Sequence, residues 1–66
     1  MKNNIRVERA ILQLTQEELA NKVAVSRQTI NAIEAGKYVP STALALKIAK
    51  VFNKPLEEIF QLEKND

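Results

Sequence analysis

Apolar positions along the chain recur every three to four residues rather than every two, in five blocks separated by polar or helix-breaking residues. The first block, about Asn4 to Gln13, predicts a helix with Ile5, Val7, Ile11 and Leu12 on its apolar side and no marked start. Thr15 followed by Glu18 is a capping-box pattern, and Glu17 and Glu18 favour the positive end of the helix they open. Leu19, Ala20 and Val23 form the inward stripe of that second helix. Ser26 is the next N-cap, so only about three residues separate the second helix from a third, which forces a sharp crossing. The third runs from Arg27 to Ala35 and stops at Gly36, suited to a left-handed C-terminal cap. Ser41 caps a fourth helix reaching about Asn53, with Leu44, Ile48, Val51 and Phe52 at helical spacing. Pro55 opens a fifth, in which Leu56, Ile59 and Phe60 share a face. From Phe60 to Glu63 apolar and polar residues alternate, which suits either a short terminal strand or a frayed end. The expected fold class is all-α, a single domain over residues 1–66 with a helix-turn-helix at about 15–35.

At 100° per residue, Ser26, Ile30 and Ile33 fall on one side of the third helix and Gln28, Asn31, Ala32 and Ala35 on the other. An ordinary solvated face would carry Lys and Glu, yet neither occurs from Gln28 to Ala32. Side-chain amides offer a donor beside an acceptor, matching N7 and N6 of adenine in the major groove, while Arg matches guanine. Ala32 suits a thymine methyl, and Arg27 lies in the first turn, the end that enters the groove in this docking mode. Two neutral amides alone also fit a plain surface. The capped helices, the short turn, the small Ala20 at the expected crossing and the Ile30/Ile33 anchor favour a helix held out for reading.

Composition narrows the rest. With 66 residues the chain is near the lower limit for a self-sufficient core, and without Cys or His it lacks disulfides and the usual zinc ligands, so oligomerisation is the expected support. Residues 1–54 carry nine Lys/Arg against four Glu, whereas residues 55–66 carry one Lys against four acids. A basic body with an acidic end suits a protein that presents one side to phosphates, although scattered surface charge is an equal alternative. The N-terminus has no signal-like apolar run and no stretch reaches membrane-spanning length, so a cytoplasmic location is expected. An enzyme would have to rely on carboxylates, Ser, Lys or the lone Tyr38, and Glu17-Glu18 and Glu57-Glu58 are adjacent in helices and point about 100° apart. No metal site, cofactor or small-molecule ligand is expected.

Taken together, Thr15-Gln16-Glu17-Glu18-Leu19-Ala20, Val25-Ser26-Arg27-Gln28-Thr29-Ile30 and Ile33-Glu34-Ala35-Gly36-Lys37 resemble the helix-turn-helix proteins of the phage repressor and Cro family, often called the Xre family. The likeness continues through Pro40-Ser41 and Leu46-Lys47-Ile48-Ala49-Lys50. Asn31, Lys37-Tyr38 and Pro55-Leu56-Glu57-Glu58-Ile59-Phe60 resemble its very short, cytolysin-repressor-like members. The resemblance implies a five-helix lambda-repressor-like domain, with the two chain ends available for pairing as a small antiparallel ribbon, that binds a two-fold symmetric operator as a homodimeric repressor. It implies base reading by Arg27, Gln28 and Asn31, beside the Ala32 already placed on that face, and phosphate contacts by Gln16, Lys37 and Tyr38. Thr29 and Arg9 are further expected phosphate contacts. Gln16 would also support the first reading residue. Arg9 and Glu34 match a pair that joins the first and third helices in some relatives. Two departures concern packing: Ala24 stands where Gly is common in the turn, and Thr42 where Leu is frequent.

Phe52, Leu56, Ile59, Phe60 and Leu62, in a region of about 52–62, are the expected dimer seam, because so small a core cannot enclose every large side chain. For Phe52 and Leu56, core is an equal alternative. The rival reading, an antitoxin-like or adaptor module, would use the same surface, especially Ile59 and Phe60, to hold a partner protein.

Overall fold

Local chemistry sets where three of the five helices begin. The computed structural model describes residues 1–66 and runs β1 (Lys2–Asn3), α1 (Ile5–Leu12), α2 (Gln16–Lys22), α3 (Arg27–Glu34), α4 (Thr42–Phe52), α5 (Leu56–Ile59) and β2 (Phe60–Gln61). At α2 the capping box is complete: Thr15 Oγ1 accepts from the Glu18 N–H at 3.0 Å and Glu18 Oε1 accepts from the Thr15 N–H at 2.8 Å. Ser26 Oγ accepts from the Thr29 N–H and Ser41 Oγ from the Leu44 N–H, each at 3.2 Å. Each of these bonds satisfies a donor that a helix start leaves without a partner.

Helices α1 to α4 all end in one way. Gln13, Ala24, Gly36 and Asn53 have φ of 57°, 60°, 75° and 54°. In each case the following N–H reaches back to the helix: Leu14 to the Arg9 carbonyl, Val25 to Ala20, Lys37 to Ala32 and Lys54 to Ala49. This is the Schellman arrangement, which needs a left-handed residue. Only one of the four is Gly.

The core is one cluster. Leu19, Ala20 and Val23 of the α2 region, Ile30 and Ile33 of α3, and Leu44, Ala45, Ile48, Ala49 and Phe52 of α4 enclose it together with Ile5, Ile59 and Phe60. The two chain ends do pair: Lys2 stands opposite Gln61 and Asn3 opposite Phe60 in an antiparallel ribbon. The Asn4 N–H adds a bond to the Ile59 carbonyl at 2.9 Å, and Asn4 Nδ2 donates to the Glu58 carbonyl at 2.9 Å. No helix is long and apolar enough to cross a membrane.

The structure departs from expectation at α1 and at Ser26. Of the apolar side expected on α1, only Ile5 is buried; Val7 and Ile11 are 58% and 63% exposed, and Leu12 is also exposed. At 100° per residue Val7 lies about 160° and Ile11 about 120° from Ile5, so the four never formed one stripe. α1 instead turns Glu8 inward, where its carboxylate accepts from Lys54 Nζ at 2.9 Å. Ser26, placed by angle beside Ile30 and Ile33, is exposed, because its hydroxyl is engaged in capping α3.

Candidate nucleic-acid interface

α3 is anchored from below and open above. Ile30 and Ile33 are fully enclosed, while Arg27, Gln28 and Asn31 are exposed and Ala32 and Thr29 are half-buried. The Thr29 hydroxyl stands 3.0 Å from Ser26 Oγ at the start of the helix. A Schellman turn closes the far end through the Gly36 and Lys37 N–H groups. Asn3 of the ribbon adds a bond from its Nδ2 to the Ile33 carbonyl at 2.8 Å, tying the terminal strand to the last turn of α3. Sequence reasoning missed this contact, since its partners lie 30 residues apart.

The single acid of α3 is turned away from that open face. The Glu34 side chain is 2% exposed and meets Arg9 in a two-pronged pair, Nε to Oε2 at 2.7 Å and Nη2 to Oε1 at 3.1 Å. Gln16 Nε2 donates to Glu34 Oε1 at 3.2 Å, and Asn31 Nδ2 approaches Gln16 Oε1 at 3.4 Å. Four side chains thus connect α1, α2 and the exposed face of α3. Burial alone would push the Glu34 carboxyl up, but the hydrogen bonds from Arg9 and Gln16 and the charges of Arg9 and Arg6 together hold it below the ordinary glutamate value. The carboxylate therefore stays ionised, neutralised within the fold, and adds little repulsion toward an approaching phosphate. No buried side-chain nitrogen or oxygen lacks a partner.

The placement of Arg9 differs from the expected phosphate contact. Besides Glu34, its Nη1 donates to the Leu14 carbonyl at 2.9 Å, and only 15% of the side chain is exposed. Its donors are committed inward. Arg6, not singled out from the sequence, carries the accessible charge on this side: it is 80% exposed, with Nε 3.7 Å from Glu34. Lys37 and Tyr38 are exposed in the loop after α3, and Gln16 is half-buried, bonded to Glu34 and approached by Asn31 rather than by Arg27 or Gln28.

The expected seam splits by the same measure. Ile59 is fully enclosed, and Phe52 and Phe60 nearly so, within the chain's own core. They offer little to a second molecule, because the ribbon and α5 fold them inward. Leu56 remains half-buried and Leu62 is 79% exposed.

A pair of capped helices, a tight turn and a projected second helix define a DNA-binding helix-turn-helix domain. The chain matches the helix-turn-helix family HTH_3 over residues 5–59 and belongs to it; this is the Cro and phage-repressor type. It is 56% identical to the HTH-type transcriptional regulator MJ0272 of Methanocaldococcus jannaschii and 48% identical to the HTH-type transcriptional regulator YgzD of Bacillus subtilis, over 66 residues and the full length of both chains in each case. The structure superposes with a TM-score of 0.81 on the SOS-response transcriptional repressor LexA from Eubacterium rectale, at 27% identity, covering 96% of this chain and 67% of that one.

Proposed function

We propose that this protein is a sequence-specific transcriptional regulator, a repressor that binds a two-fold symmetric operator in double-stranded DNA as a homodimer. One observation carries the reading: α3 is held by Ile30 and Ile33 so that an acid-free face of Arg27, Gln28 and Asn31 stands exposed. That face suits base edges, with Arg27 aimed at guanine, Gln28 and Asn31 at adenine and Ala32 at a thymine methyl. Lys37, Tyr38, Gln16, Thr29 and Arg6 flank it and engage phosphates, which fix register without reading sequence. The regulators named above share the whole length of this chain.

A homodimer suits this reading because one chain carries a single recognition helix, whereas successive major grooves on one side of DNA lie roughly 34 to 36 Å apart. Reaching both grooves takes two copies. The seam uses Leu62 and Leu56, the members of the expected surface that still face outward. Repression follows from occupancy, since a dimer seated in two grooves excludes other proteins from the same duplex. The site of action is the cytoplasm, where no small-molecule ligand or cofactor is needed for binding.

The test is selection of bound duplexes from random DNA, followed by alanine substitution. Gln28→Ala and Asn31→Ala each lower affinity for the selected duplex by about 1 to 3 kcal/mol and relax preference at one base pair. Sedimentation mass stays that of the dimer. If both variants bind the selected DNA as the wild type does, the reading fails.

A further inference from the structure

We propose that Asn3 is a positioning residue for half-site spacing: its amide ties the ribbon beside the dimer seam to the end of the recognition helix, and so sets the separation and angle at which two copies hold α3. The inference rests on the homodimer reading above, with its seam at Leu62. Asn3 stands in β1 opposite Phe60 of β2, two residues before Leu62. Its Nδ2 donates to the Ile33 carbonyl at 2.8 Å, and its Oδ1 accepts from the Ile5 N–H at 3.3 Å. One half-buried amide thus joins the ribbon, the start of α1 and the last turn of α3. Both bonds depend on which way the amide faces. Turned over, it would set an oxygen against the Ile33 carbonyl and a donor against the Ile5 N–H.

No other hydrogen bond reaches the α3 backbone from outside residues 26–37. At its start α3 is held by the Ser26 cap within its own helix-turn-helix, while its far end runs into the exposed loop from Lys37 to Val39. The Ile33 carbonyl already accepts from the Gly36 N–H at 3.0 Å in the closing turn, and Asn3 takes its second lone pair. Beside this bond a cleft of about 360 Å³, lined by Lys2 and Gln61 of the ribbon and by Ala35 and Gly36, leaves the two elements unpacked. The amide is therefore the brace at this point. A seam at Leu62 fixes the ribbons of two copies relative to each other, and the Asn3 bond passes that geometry on to both copies of α3. Duplex DNA is exacting about it: one base pair added between half-sites moves the second by about 3.4 Å and turns it by about 35°.

Affinity for one duplex does not isolate this, since any loosening of the fold lowers it; dependence on spacing does. The wild-type protein, Asn3→Ala and Asn3→Asp are titrated with a duplex selected by the wild type and with duplexes carrying one base pair more or fewer between the half-sites. Duplexes changed at single base pairs within a half-site complete the set. Asn3→Asp keeps an oxygen for the Ile5 N–H but has no donor for the Ile33 carbonyl. In the wild type the selected spacing is preferred roughly tenfold over its neighbours. Both variants reduce that preference to under about threefold, while base preferences within each half-site and the sedimentation mass of the dimer stay as they were. Spacing preference retained in Asn3→Asp, or lost together with base preference inside the half-sites, overturns the inference. A wild type that selects no paired half-sites, or is indifferent to their spacing, would instead overturn the homodimer reading.

Discussion

Ala24 holds φ at 60°, where a Cβ crowds the following carbonyl and costs about 1 to 2 kcal/mol. Replacing it by Gly removes that strain, at some cost in the freedom of the unfolded chain. Ala24→Gly is expected to stabilise the fold by about 0.5 to 1 kcal/mol in urea unfolding, with DNA affinity unchanged. Glu34 lies at the other extreme. Removing it in Glu34→Ala leaves Arg9 confined without its partner, and the expected loss is about 3 to 5 kcal/mol, read from the same transition. Its carboxyl titrates below the ordinary value of 4.5 when folded, so its contribution is complete above that pH and disappears as pH falls through the lower, folded value. Glu18, lowered first by its hydrogen bond with the Thr15 backbone, and Asp66, lowered first by its bond with the Glu63 backbone, act in the same direction. Unfolding midpoints followed from neutral to acid pH therefore fall in the wild type and fall less in Glu34→Gln, which has no charge to lose at that position.

Among the elements, helix ends were far more legible in the sequence than helix faces. Thr15, Ser26, Ser41 and Gly36 act on backbone groups within a few residues, so their role needs no knowledge of the fold. The left-handed endings at Gln13 and Asn53 escaped notice because neither is Gly, although Asn tolerates that conformation better than most residues. α1 was misread since apolar content stood in for angle; Ile5 and Val7 point to opposite sides, and Lys54, the partner of the buried Glu8 of α1, lies 46 residues away. Such pairing is decided by the tertiary fold. Ile5→Ala is thus expected to cost about 2 to 5 kcal/mol, whereas Val7→Ala and Ile11→Ala stay within about 0.5 kcal/mol, as thermal or urea unfolding will show. The exposed face of α3 was legible because what matters there is local: side chains on one helix at known angles, with no acid among them. The network behind it was only half legible, since the Arg9–Glu34 pair came from a family resemblance and the Gln16–Asn31 contact from the structure alone.

For the molecule as a whole, the same physical reasons that make the core small also turn Ile59 and Phe60 inward. The ribbon that joins the chain ends completes the core and ties the last turn of α3 through Asn3. The proposed dimer then relies on what is left outside, and under that proposal Leu62→Asp is expected to shift sedimentation mass toward the monomer and to weaken operator binding together. Mass and affinity unchanged in that variant would place the seam elsewhere. The proposed phosphate contacts predict a second whole-molecule property: log affinity should fall linearly with log salt, by about 0.9 per neutralised phosphate, and Lys37→Ala should flatten the slope by about one such contact per subunit. Whether α3 meets the bases is measured most directly by nuclear magnetic resonance mapping of the protein on a duplex obtained by selection. Signals of Arg27, Gln28, Asn31 and Ala32, including both side-chain amides, are expected to shift most, with Lys37 and Tyr38 beside them and Val7 and Ile11 unmoved. Shifts centred on α1 or on the terminal ribbon, with those of α3 unchanged at low salt, would contradict that placement of α3.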